Sequence, residues 1–152
     1  MNKGKVLQLY VTMPDMMRSG HRMTCESFEC DANGIIGSRD YNNGNENYLL
    51  LLSKKSYDII EEAGLVLDQG VLMENIYVDI DLYDLKEGDI IEIGEGLFEV
   101  VQYCEDYRYL YAFAPELPEL LERKRGLFVK PMGNACISVG DEVEVLREAD
   151  EQ

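Results

Sequence analysis

The chain has 152 residues, enough to bury one hydrophobic core without disulfide staples. Asp and Glu number 30 against 14 Lys and Arg, a formal charge of −16, which excludes nucleic acid and anionic lipid surfaces as docking partners. No apolar run approaches the roughly 20 residues that span a bilayer, and Met1 to Thr12 lacks a signal peptide's apolar stretch and cleavage site, so the expectation is a cytoplasmic protein without membrane association.

Lys5 to Thr12 (KVLQLYVT) is β-branched, aromatic and apolar and predicts a first strand. From Thr12 to Asn33 periodicity is lost while Pro14, Asp15, Ser19, Gly20 and Asn33 accumulate, which predicts a surface excursion. Tyr48 to Leu52 (YLLLL) is a continuous apolar run, the pattern of a strand buried on both faces. Ser53 then stands as N-cap for a helix from Lys54 to about Ala63, with Tyr57, Ile60 and Ala63 on one stripe and Gly64 placed to end it.

Ile76 to Ile80, Ile90 to Ile93, Leu97 to Gln102, Leu127 to Val129, Cys136 to Val139 and Glu142 to Leu146 are short and mostly alternating. Between them lie the turn formers Lys86-Glu87-Gly88-Asp89, Gly94-Glu95-Gly96, Met132-Gly133-Asn134 and Gly140-Asp141. Pro115 to Arg125 predicts a second helix, with prolines in its first turn, Glu116 and Glu119 near the positive dipole end and Arg123, Lys124 and Arg125 near the negative one. Many short strands with few short helices predict a mainly β fold, a barrel or sandwich. One domain over 1–147 and a disordered acidic tail over 148–152 are expected.

The order of these segments is similar to a known family. Lys5-Val6, Asn33-Gly34-Ile35-Ile36-Gly37, Tyr48 to Ser53, Gly64-Leu65, Gly70-Val71-Leu72-Met73-Glu74-Asn75-Ile76, Leu85 to Ile93, Phe98-Glu99-Val100, Arg125-Gly126-Leu127-Phe128 and Ile137 to Val145 resemble MOSC domains in sequence and spacing over nearly the whole chain. The most specific pieces are Gly-x-x-x-Glu-Asn-Ile and the closing Val-Gly-Asp-x-Val-x-Val. The resemblance implies a closed or partly closed β-barrel with two or three short helices. It also implies sulfur carriage or binding of molybdenum cofactor (molybdopterin), with molybdenum-ion and pyridoxal phosphate binding as family descriptions. The implied partners are a molybdenum-cofactor enzyme or biosynthesis protein and a cysteine desulfurase. Two departures stand out. The family's Gly-x-x-Gly-Asp-x-His is here Gly34-Ile35-Ile36-Gly37-Ser38-Arg39-Asp40, and the family cysteine falls by ungapped spacing on Tyr107, three residues after Cys104.

Sulfur transfer needs a thiolate, and the resemblance makes Cys104 the candidate catalytic residue, with Arg108 available to stabilise it and Glu105 and Asp106 opposing it. The alternative for Cys104 is a free cysteine ending a strand. Arg39, Glu74, Asn75 and Arg125 are the candidate cofactor-binding residues: the arginines would pair with an anionic pterin phosphate, while Glu74 and Asn75 would either line the pocket or brace a loop. Lys130 reads as balancing a neighbouring carboxylate. Cys25 and Cys30 have a spacing that permits metal ligation, with His21 and Cys104 as further donors. Tyr103, Tyr107, Tyr109, Tyr111 and Phe113 share one face if their segment is extended, forming either a packing surface or a stacking platform. The leading reading is a sulfur-carrier or molybdenum-cofactor-binding domain. The competing one is a non-catalytic binding module for a small anion, cofactor or partner protein that has lost the family thiol site. A metal-binding regulator is the third.

Overall fold

The first and last strands of the described chain lie side by side, and their pairing closes the sheet on itself. The computed structural model describes residues 3–12, 23–38, 41, 48–105 and 107–147, so the expected tail over 148–152 lies outside them. Eleven strands are present among these residues: β1 (Lys3–Val11), β2 (Met23–Cys25), β3 (Ser27–Asp31), β4 (Gly34–Ile35), β5 (Leu49–Ser53), β6 (Ile76–Val78), β7 (Ile90–Ile93), β8 (Gly96–Tyr103), β9 (Leu127–Pro131), β10 (Ala135–Ser138) and β11 (Glu142–Arg147). The barrel runs β11-β7-β8-β9-β5-β6-β1 and is sealed by Lys3, Gly4 and Lys5 of β1 against Glu144, Val143 and Glu142 of β11. β2 extends the sheet beyond the end of β1, and β10, β3 and β4 form a second, three-stranded sheet.

Within the barrel only β5 and β6 pair in parallel. Parallel neighbours need a crossover, which α1 (Lys54–Glu62) begins. Ser53 takes the extended backbone of an N-cap, but its hydroxyl does not cap α1; it accepts from the Leu82 N–H at 3.2 Å. Ser56, Tyr57 and Ile60 form the buried stripe of α1, while the expected Ala63 is exposed. Gly64 ends the helix in the left-handed region (φ 84°), as its position predicts.

Alternation along the strands divides the apolar residues between two cores. Leu9, Leu49, Leu51, Ile76, Val78, Ile91, Phe98, Val100, Leu127 and Val129 pack inside the barrel, joined by Phe28 and Ile137 from the smaller sheet. Tyr10, Leu52 and Tyr77 face outward and pack with Tyr57, Ile60, Leu72, Leu110, Leu117 and Leu121. The run Leu49–Leu52 is apolar throughout because both of its faces are covered.

Two expectations need correction. The excursion over 12–33 contains β2 and β3 in its described part; Phe28 and Cys30 turn inward while Glu29 is exposed, a short alternation beneath the turn-rich composition. The second helix is a single turn, α2 (Leu117–Leu120), rather than Pro115 to Arg125. Arg123 adopts φ 62°, a left-handed backbone that stops the helix short of the basic cluster.

Candidate functional site

The loop between α1 and β6 folds back on its own carboxylate. Met73 donates its N–H to the Gly70 carbonyl at 3.1 Å, and Gly70 donates its N–H to Glu74 Oε2 at 2.8 Å. Tyr57, on the buried stripe of α1, donates its phenol to the same oxygen at 2.9 Å. Glu74 is fully buried. Burial pushes its pKa above the ordinary carboxylate range, while its own backbone N–H, the Gly70 N–H, the Tyr57 phenol and the charge of Arg125 pull it down. Its other oxygen, Oε1, has no hydrogen-bond partner.

Arg125 stands on the segment entering β9 and acts on Glu74 electrostatically. It is 2% exposed, and its Nε and Nη1 also lack partners. Its guanidinium carbon stands 6.0 Å from the centre of the Tyr109 ring, and the Tyr109 hydroxyl donates to the Val71 carbonyl at 2.8 Å. Tyr109 therefore joins the arginine to the loop that carries Glu74. Gly126 lets this segment lie close against β5: at φ 134°, a Cβ on it would sit 2.8 Å from Leu50 Cδ1 and 3.3 Å from the Leu51 carbonyl oxygen.

The surroundings carry the imprint of a buried charge. Burial, followed by the nearby Glu74, pushes the Tyr10 phenol up to about 12. Burial, Asp58, Glu74 and Tyr10 do the same for Tyr77. Tyr57 is raised further, first by burial and then by Glu74. The two non-glycine residues with left-handed backbone among those described, Met73 (φ 71°) and Arg123 (φ 62°), lie one and two residues from Glu74 and Arg125. Such strain persists where the surrounding structure imposes it, and it clusters at functional sites.

Of the sequence-expected residues, Glu74 and Arg125 act on each other electrostatically without a direct bond. Asn75 acts elsewhere. Its Oδ1 accepts from Leu50 N at 2.9 Å and its Nδ2 donates to the Tyr10 carbonyl at 3.2 Å, so it braces β5 against β1. Arg39 lies outside the described residues, as do His21 and Asp40. Lys130 faces Glu99 across the strand pair at 3.7 Å. Cys104 follows β8 and donates its N–H to the Gly126 carbonyl at 2.9 Å, which places it in the ladder beside Arg125; the residue is 2% exposed. Its neighbours Tyr103 and Glu105 line a pocket of about 290 Å³ with Lys86, Gln102 and Leu127, but Cys104 does not.

The tyrosines do not form one extended face, because Arg108–Ala112 is a 3₁₀ turn. Tyr103 bonds the Tyr83 and Leu85 carbonyls, Tyr107 accepts from Arg123 N, Tyr109 reaches Val71 and Tyr111 is exposed. Cys25 is half-buried on β2 and Cys30 fully buried on β3. Burial pushes the Cys30 thiol up to about 12. Among the described residues no group of three or more His, Cys, Asp or Glu side chains is arranged to hold a metal ion. The sequence reading missed Tyr57 and Gly70 as partners of Glu74; the Gly-x-x-x-Glu spacing was visible, but Tyr57 looked like an ordinary core residue of an amphipathic helix.

Solved structures share this architecture. The YuaD protein from Bacillus subtilis is 18% identical, covers 94% of this chain and 95% of its own length, and superposes with a TM-score of 0.75. YiiM from Geobacillus stearothermophilus is 15% identical over 95% of this chain and 75% of its own, at a TM-score of 0.67. YiiM from Escherichia coli is 17% identical over 97% and 72%, at 0.66. No protein-family model matches the chain, and no curated protein does. At these identities the likeness is one of fold: the barrel is MOSC-like, as the sequence led us to expect. No helix among the described residues is long and apolar enough to cross a membrane.

Proposed function

We propose that this chain is a MOSC-like binding module that takes a small anionic ligand at Arg125. The observation that carries the reading is the buried guanidinium with Nε and Nη1 unpartnered, in a chain of net charge −16. An arginine in this state keeps donors for which the fold supplies no acceptor, and leaving them unmet inside a protein costs about 1–3 kcal/mol or more. A phosphate, carboxylate or similar group meets them with charge-assisted bonds. The molybdenum cofactor implied by the sequence resemblance carries such a phosphate, and Arg125 suits its anionic end. That cofactor would supply metal-centred redox chemistry, and Arg125 would be the cation that holds its phosphate.

The test is isothermal titration of the protein with inorganic phosphate and with molybdopterin, repeated for Arg125→Ala and Cys104→Ser. Binding that survives Cys104→Ser and is lost in Arg125→Ala supports the module. Binding unaffected by Arg125→Ala, or no binding of either ligand, removes it.

A second reading, the cysteine-based sulfur carrier, draws support from the backbone bond that sets Cys104 beside the Arg125 segment. The thiolate is the form of a cysteine that accepts sulfur. Its 2% exposure requires local opening before a cysteine desulfurase could deliver sulfur there. Mass spectrometry after incubation with a desulfurase and cysteine should then show one added sulfur on Cys104, and an unmodified Cys104 rules the carrier out.

A further inference from the structure

One side of the barrel is left bare by the described residues. Side chains of α1, α2 and the turn at Arg108–Ala112 pack with the outward Tyr10, Leu52 and Tyr77 of β1, β5 and β6, and this outer core takes no residue from β7, β8 or β11. Along those three strands Ile91, Ile93, Phe98, Val100 and Val143 turn into the barrel. The alternate positions Ile90, Glu92, Leu97, Glu99 and Glu144 face outward and are half-buried or exposed.

Two carboxylates meet at the centre of this bare face. Glu144 stands directly across the ladder from Glu92, and Glu92 directly across from Leu97. Like charges in that relation destabilise a sheet. The nearby lysines are engaged elsewhere: Lys3, in register with Glu144, holds its Nζ 4.0 Å from Glu142, and Lys130 holds its own 3.7 Å from Glu99. Apolar side chains border the pair. Leu97 is 39% exposed and Leu146 49%, the latter set out of the ladder by the register shift between Val145 and Arg147, opposite the Ile90 end of β7. Bare apolar surface around uncompensated charge weakens the isolated chain, and it is the composition of a docking face.

Charge complementarity names the occupant. We propose that this face docks a partner protein through an arginine seated between Glu92 and Glu144, with apolar side chains on either side of that arginine covering Leu97 and Leu146. A guanidinium offers donors to both carboxylates at once, in charge-assisted bonds, and cancels their repulsion. Arginine amid apolar contacts is also the composition on which protein interfaces concentrate their energy. A second copy of this chain does not meet the requirement, because the same face turned on itself brings glutamate onto glutamate between two chains of charge −16. The face lies on other strands than the segment carrying Arg125, so it stands independently of the anion-binding reading.

The probe is the blocked peptide Ser-Leu-Ser-Arg-Ser-Leu-Ser, whose arginine and two leucines share one face when extended. Titrated into the full chain labelled with nitrogen-15, it is expected to bind saturably with a Kd below about 1 mM and to move the amide resonances of β7, β8 and β11. Glutamine in place of the peptide's arginine is expected to weaken binding at least about tenfold, as is the double variant Glu92→Gln with Glu144→Gln. A charge-matched control, Glu61→Gln with Glu62→Gln at the exposed end of α1, is expected to bind like the parent. Freed of its repulsion, the double variant at Glu92 and Glu144 should also unfold at a higher urea concentration than the parent, so its loss of binding is not a loss of fold.

Absence of saturable binding overturns the proposal, and so do resonance shifts confined to other strands. Equal weakening in the α1 control assigns the attraction to the overall charge of the chain and overturns it too. A dimer by sedimentation equilibrium that the Glu92 and Glu144 substitutions dissolve would give the face to a second copy, against the proposal.

Discussion

The Tyr57 phenol donates to the Glu74 carboxylate across 2.9 Å, tying the helix that leaves β5 to the loop that enters β6. Tyr57→Phe removes this donor with little change of volume and leaves Oε2 bonded to the Gly70 N–H alone. We expect a loss of about 1–3 kcal/mol in urea unfolding. An unchanged midpoint would show that the bond has no net worth.

The pH dependence of stability carries a sign that isolates Glu74. Its folded pKa is raised above the unfolded value, mainly by burial. The native state therefore holds its proton more tightly. Glu74's contribution is fully present below the ordinary carboxylate range and is lost as pH rises through the folded value. Glu74→Gln does not titrate. The stability difference between variant and parent should therefore move in the variant's favour across that window and then level off. A difference independent of pH would mean that the carboxylate titrates normally in the fold.

Thiol labelling ranks the four cysteines. Cys136 is exposed, Cys25 half-buried, and Cys30 and Cys104 buried. With Ellman's reagent at pH 8, Cys136 should react first. Cys25 should follow more slowly, since burial and the charge of Glu26 raise its pKa. Cys30 and Cys104 should react only on unfolding. Fast labelling of Cys104, read by peptide mass spectrometry, would reverse this order and favour the sulfur-carrier reading.

Gly126→Ala should be among the more damaging single-methyl additions. The new Cβ would meet Leu50 Cδ1 at 2.8 Å and the Leu51 carbonyl at 3.3 Å, at a φ of 134° that an L side chain rarely adopts. A cost of about 2–4 kcal/mol is expected in thermal or urea unfolding. Anion binding at Arg125 should weaken alongside it. Parent-like stability would show that β5 yields to make room.

Much of the barrel could be read from the chain because the information was local. Alternation in Ile90–Ile93 and Glu142–Arg147, the solid run Leu49–Leu52 and the glycines between strands each specify a short element without help from distant residues. β2 and β3 escaped notice because they are short and lie in turn-rich sequence, where pairing with β1 and β10 outweighs weak local preference. The second helix was overextended because charge placement suggested a long dipole, whereas a left-handed Arg123 interrupts it. At the site, Glu74 and Arg125 were named separately; that Tyr109 lies near the arginine and also bonds the Val71 carbonyl depends on the 3₁₀ turn at Arg108–Ala112, which spacing does not reveal. Cys104 was chosen for its place after β8, a one-dimensional criterion that carries no information about burial.

The seam between β1 and β11 has a consequence for biogenesis. On the ribosome β1 is made long before Val143 and Glu144 emerge to meet Gly4 and Lys3. Until then the sheet has two raw edges, and the side chains destined for its interior have no lid. Such distant pairings slow folding and prolong the period in which open edges can recruit other chains. The heavy negative charge of the polypeptide is suited to that interval, because mutual repulsion keeps half-made copies apart while the ring waits for its last stave.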